Sequence, residues 1–148
     1  MNNVISKNWE QNQIPGIDCL TKADGTVVLL NCFSNEEGQP YSFPFCETTV
    51  ESLLKYDEDV FTEIQTFVEI ESEQKNFKFI AGEGRMGNEG FIAQIAADNN
   101  LIWALFFEHS NPFKKLEIHG EKLHAFSTAG HIYIVDITEP ENVDIENA

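Results

Sequence analysis

The chain has 148 residues, 42% of them hydrophobic and including 12 Phe and 2 Trp, and its 25 acidic against 9 basic residues give a formal net charge of −16. That length fits one domain, residues 1–148, with a core able to stand without disulfides or metal, and the apolar content excludes a disordered chain. The charge disfavours nucleic acid phosphate and anionic lipid as partners and favours cationic ones.

Residues 1–16 are polar and end in the turn signal Ile14-Pro15-Gly16, so they are expected to form a loosely held arm pinned by Trp9. No apolar signal core appears there, and no later run is long and uncharged enough to span a bilayer; the expectation is a soluble cytoplasmic protein with no membrane partner. Residues 17–20 and 26–33 are β-rich and flank Ala23-Asp24-Gly25, a hairpin signal. Cys19, Cys32 and Cys46 are odd in number and match neither a metal knuckle nor a secreted disulfide frame. Cys19 and Cys32 lie in apolar strand-like contexts, which predicts buried free thiols. After a loop over 34–40, Tyr41-Ser42-Phe43-Pro44-Phe45 alternates aromatic residues, but its proline confines it to a sheet edge or an irregular extended piece.

At Thr48-x-x-Glu51 the spacing is that of a capping box, and Val50, Leu53 and Leu54 supply a helical stripe. Val60, Phe61, Ile64, Phe67 and Val68 keep helical spacing, yet Ile64, Thr66, Val68 and Ile70 also alternate as a strand would. The reading adopted is one main helix over about 48–64 and a strand from about Thr66. From there the chain reads as a meander, with runs at 77–81, 91–96, 101–107, 113–118, 123–127 and 132–137 separated by short turn clusters, such as Glu73–Asn76. Connections that short require antiparallel neighbours. The run Leu101–Phe107 is apolar on both alternating faces and reads as a central strand covered on both sides. Residues 138–148 form an acidic tail in which Val143 and Ile145 offer one last short strand. The fold class expected is therefore α+β and β-rich: an antiparallel meander with an N-terminal hairpin and one main helix.

Motifs for chemistry are sparse. Gly82-x-Gly84-x-x-Gly87 resembles a dinucleotide fingerprint, but the segment that follows reads as a strand and not as the helix whose N-terminus would hold phosphate, so a hairpin loop is expected. His109, His119, His124 and His131 invite a metal reading, although no His-Glu-x-x-His spacing exists. His119 and His124 flank a turn and are expected as cross-strand neighbours. Ser110 and Ser127 lack a Gly-x-Ser-x-Gly elbow. A sugar platform would have to come from Tyr41, Phe43 and Phe45, and the scattered acids identify no pair for glycoside hydrolysis. No cofactor is expected.

Charge clustering does stand out. The 27 residues from Glu47 to Glu73 hold nine acids and one base, Lys55, a net −8 that is half of the chain's −16. A solvated outer face accounts for such a run, and so does an anionic docking face for a basic protein. On the second reading the contact residues are Asp57, Glu58, Asp59, Glu63, Glu69, Glu71 and Glu73.

The pattern Trp103-x-Leu105-x-Phe107, Ser110-Asn111-Pro112-Phe113, Gly120, Ala125-x-Ser127-x-x-Gly130 and Ile137-x-x-Pro140 resembles small β-rich bacterial proteins, among them the toxin-neutralising immunity proteins of polymorphic-toxin and contact-dependent inhibition systems. The resemblance spans about residues 90–145 and includes no functional motif, so no site residue is carried over. It implies a non-catalytic inhibitor that caps a basic toxin domain, such as a nuclease. A second likeness, to one blade of a quinoprotein-like propeller through the Trp103 strand and residues 130–133, meets a length limit, because the meander fills about two blades where a closed ring needs four or more. Two further expectations stay open: a small-ligand, metal or carbohydrate-binding domain or enzyme using the His109–His131 region or the Gly82–Gly90 loop, and an assembly module pairing through the 41–45 edge.

Overall fold

The computed structural model describes residues 1–74 and 76–148. Helix α1 (Asn3–Glu10) opens because the Asn2 side chain accepts hydrogen bonds from the Val4 and Ile5 N–H groups, two donors that a first turn leaves without helical partners. Strand β1 (Gln13–Pro15) follows, then β2 (Cys19–Lys22) and β3 (Thr26–Ser34), joined by a tight turn in which Gly25 takes φ 93° and Asp24 accepts from Thr26 N–H. Strand β4 (Pro40–Thr49) runs into helix α2 (Val50–Tyr56), whose N-cap is Thr49, one residue beyond the expected cap; its hydroxyl accepts from Ser52 N–H. The remainder is β5 (Phe61–Glu63), β6 (Gln65–Glu71), β7 (Phe77–Glu83), β8 (Gly90–Ala96), β9 (Leu101–Phe107), β10 (Phe113–His119), β11 (Lys122–Ser127), β12 (His131–Asp136) and β13 (Val143–Asn147). Lys75, within the turn expected over Glu73–Asn76, lies outside the described residues.

Among the described residues the strands form three antiparallel sheets: seven strands in the order β4-β3-β2-β9-β8-β7-β6, four in the order β10-β11-β12-β13, and the pair β1-β5. Leu101–Phe107 is the middle strand of the largest sheet, and each of its faces meets a different core. Trp103, Leu105 and Phe107 point toward the four-stranded sheet, where they pack with Phe113, Leu123, Tyr133 and Val135. Ala104 and Phe106 point the other way, into a core closed by Ile5 of α1, Ile14 of β1 and Val50 of α2. A bulge at Ile102 shifts the register, so Leu101 joins this second core while Ile102 is left exposed. The molecule is thus three layers deep, and full burial of a Leu or Phe side chain in either core contributes about 1.5–3 kcal/mol.

This architecture corrects the expected fold class. In place of a fold built on one main helix over about 48–64 with a hairpin and meander, the described residues are 55% strand and 10% helical, with two short helices and three antiparallel sheets. Helix α2 ends at Tyr56 because the Asp57 side chain turns back to accept from Asp59 N–H, and Val60 N–H bonds to Asp57 O. Residues 61–63 then pair with 13–15 as β5 and β1. Phe61 and Ile64, which keep helical spacing, both pack on the core under the large sheet, and an extended chain brings them there. Residues 1–16 also differ from a loosely held arm: they form α1 and β1, Ile5 and Ile14 are buried, and Trp9 Nε1 donates to Asn99 O at 2.9 Å. In the acidic tail, residues 143–147 complete the four-stranded sheet as β13.

Candidate functional site

The acidic residues singled out by the sequence lie along one chain segment. Asp57, Glu58 and Asp59 occupy the α2–β5 connection, Glu63 ends β5, Glu69 and Glu71 are on edge strand β6, and Glu73 follows it; all seven are exposed. Alternation along β6 explains the last part: Val68 and Ile70 pack on the core between the two larger sheets, so Glu69 and Glu71 stand on the opposite face. Glu69 meets Lys78 Nζ at 3.8 Å; among the described residues no other acid of the seven has a Lys, Arg or His nitrogen within 4.0 Å.

The Gly82–Gly90 stretch is the end of β7, a turn, and the start of β8. Its glycines serve close packing at three points: a Cβ on Gly82 would meet the backbone of Gln65, one on Gly84 the Phe106 ring and Glu89 Oε1, and one on Gly90 Ser110 Oγ and Asn111 O. A strand follows, so the phosphate-binding geometry of a helix N-terminus is missing here. Of the four histidines, the fold brings two together. His119 and His124 face each other across β10 and β11 with ring centroids 4.2 Å apart, and His119 Nε2 lies 3.0 Å from Glu117 Oε1. Burial, and then the neighbouring His119, hold the His124 imidazole below its ordinary value. His109 is separate, in the turn that follows β9, and His131 opens β12. Among the described residues no group of three metal-ligating side chains converges.

Strand β4 is the other edge of the large sheet. It accommodates Pro44 because an edge strand tolerates a residue without N–H, and a bulge leaves Phe45 unpaired. Tyr41, Phe43 and Phe45 are exposed, as is Phe33 of β3, and Tyr41 and Phe43 stack at 6.3 Å.

Beside this edge, where β2 and β12 begin and β3, β9 and β13 end, the two larger sheets part to leave a cleft of about 220 Å³. Its lining comes from distant parts of the chain: Asp18, Cys32, Tyr41, Phe107, His109 and Tyr133 all contribute. Asp18 and Glu108 hold each other through the backbone. Glu108 N–H donates to Asp18 Oδ1 at 2.7 Å, and Asp18 N–H donates to Glu108 Oε2 at 3.3 Å. Burial pushes the Asp18 carboxyl above the ordinary carboxylate value; the Glu108 N–H bond works against this shift, while the negative Glu108 side chain adds to it. Burial likewise pushes the Cys32 thiol up to about 12 and raises the Tyr133 phenol, so both stay neutral. The loop after β9 is tied down by Ser127 Oγ, which donates to Ser110 O.

Asp18 is not among the residues that the sequence marks for function. The signal that was there is an acid at the start of the β-rich run Ile17–Leu20, where an apolar residue would fit the strand better. No family model, no curated protein and no solved structure matches this chain.

Proposed function

We propose that this chain is a non-catalytic binding protein of the immunity type, which docks on a basic toxin domain, such as a nuclease, and occludes it. The observation that supports this reading is the acidic segment from Asp57 to Glu73: seven exposed carboxylates, one of them ion-paired among the described residues, on a chain of net charge −16. Such a field raises the encounter rate with a cationic surface and repels polyanions. Occlusion needs shape and charge but no nucleophile, acid or metal. No described helix is long and apolar enough to cross a membrane.

The test is capture of partners at low salt from the source cell, together with the product of the neighbouring gene, followed by binding kinetics. A basic protein whose toxic activity is blocked at one-to-one stoichiometry is expected. Substituting Asp57→Lys, Glu58→Lys and Asp59→Lys together then lowers the association rate by about tenfold or more at low salt, within the range electrostatic steering provides. All three side chains are exposed and the one side-chain hydrogen bond lost is that of Asp57 Oδ1 with Asp59 N–H, so the melting temperature falls only slightly. Recovery of no basic partner, or an association rate indifferent to the triple reversal, overturns the reading.

A further inference from the structure

The cleft next to the β4 edge lies at the opposite end of the strand order from the acidic strand β6, so it is a separate place on the molecule and its role does not depend on the reading above. Its volume, about 220 Å³, falls below the roughly 300–1,000 Å³ of sites for whole drug-sized ligands and suits a single side-chain-sized group. Asp18 is half-buried there, and among the described residues no Lys or Arg nitrogen lies within 4.0 Å of it or of Glu108. The carboxylate is held by its backbone bond to Glu108 and cannot swing away to water without losing it. Around it stand aromatic rings: Phe107 and Tyr133 meet edge-on at 4.9 Å, and Phe33 and Tyr41, 5.7 Å apart, form the exposed lip. An anchored carboxylate with aromatic walls is the chemistry that takes an organic cation, by charge-assisted hydrogen bonds at its head and cation–π contact along its face. An apolar guest would desolvate the Asp18 carboxylate without supplying a countercharge, and an anion would be repelled by it.

We propose that this cleft binds one alkylammonium or alkylguanidinium group, with the Asp18 carboxylate receiving the charged head and the Phe33 and Tyr41 rings covering the head and stem. A free small cation and an arginine or lysine side chain on another protein present the same chemistry. Glu108 acts as a positioning residue for Asp18; the Cys32 thiol and Tyr133 hydroxyl are neutral, and His109 is the imidazole that shares the cleft with Asp18.

Amide NMR titration of the full chain tests this with n-butylammonium and n-butylguanidinium as free cations, an end-blocked Gly-Arg-Gly peptide as the protein-borne form, and n-butanol as the neutral isostere. Saturable shifts around Asp18, Phe33 and Tyr41 are expected for the cations, with Kd on the order of 1 mM. The Asp18→Asn variant is expected to bind at least about tenfold more weakly, since it removes a charged acceptor. Tyr41→Ala, at an exposed position that leaves both cores intact, is expected to weaken binding about two- to fivefold. Tighter binding of the peptide assigns the source to a partner's arginine, and equal or tighter binding of the free cations assigns it to a small molecule; both outcomes support the site. Absence of saturable binding by the wild-type chain, n-butanol binding as tightly as the cations, or unchanged affinity in a folded Asp18→Asn variant overturns the proposal. Should Asp18→Asn fail to fold, unchanged affinity in Tyr41→Ala overturns it.

Discussion

Replacing Gly82 by alanine probes how the large sheet is closed at its β6 edge. Gly82 of β7 pairs with Thr66 at the point where β6 bulges and Phe67 is left out of register. A Cβ at position 82 would lie 1.9 Å from Gln65 O, 2.9 Å from Gln65 C and 3.0 Å from Phe67 N. These are backbone atoms, so no side-chain rotation relieves the clash. To restore ordinary contact, β6 must retreat by about 1.5 Å, which carries the neighbouring ladder hydrogen bonds out of range and loosens Val68 from the core. Loss of two such bonds, at about 1–1.5 kcal/mol each, is offset slightly by the lower chain entropy of alanine, leaving a net destabilisation of about 2 kcal/mol. For a chain of this length that lowers the melting temperature by about 4–8 °C. Gly87→Ala is the matched control, since nothing lies within 4 Å of its Cβ position, and its effect should stay within about 0.5 kcal/mol. Thermal and urea unfolding followed by circular dichroism measure both variants. If Gly82→Ala melts within about 1 °C of the wild type, or no lower than Gly87→Ala, the close approach of the two strands does not constrain the fold as argued.

Two other expectations follow from burial. Cys19 and Cys32 are held as thiols, each pushed up to about 12 chiefly by burial, whereas Cys46 is exposed; a disulfide exchange reagent should therefore label one thiol per native chain rapidly and three after denaturation, and rapid native labelling of Cys32 would contradict the structure. Asp18 titrates above 3.8 in the folded chain, so as the pH falls the folded chain takes up its proton before the unfolded chain does. The desolvated carboxylate is thus a net cost at neutral pH, relieved as the pH drops through the folded-state value. Asp18→Asn should raise the melting temperature near neutral pH, with a gain that shrinks toward pH 3.8; a variant equally destabilised at every pH would refute this.

Leu101–Phe107 could be recognised from the sequence alone because a strand buried on both faces must be apolar at every alternation, and few other local structures require that. The turn at Asp24-Gly25 was equally legible, since turn chemistry is local, whereas the division of the later strands between two sheets was not. The segment 57–70 was not. Val60, Phe61, Ile64, Phe67 and Val68 keep a helical period while Ile64, Thr66, Val68 and Ile70 keep an extended one, and the choice was made by partners far away in the chain, β1 for β5 and β7 for β6. The first sixteen residues were misread for the same reason, because their polar composition hides Ile5 and Ile14, two apolar side chains that matter only once the large sheet exists to cover them. Charge, a property of composition, marked the exposed acids without tertiary information. The cleft needed it, because Asp18 and Glu108 stand 90 residues apart in sequence and meet only where β2 and β9 run side by side. Local patterns are set by neighbours along the chain, while a site assembled from strand ends is set by the pairing of strands that no local pattern records.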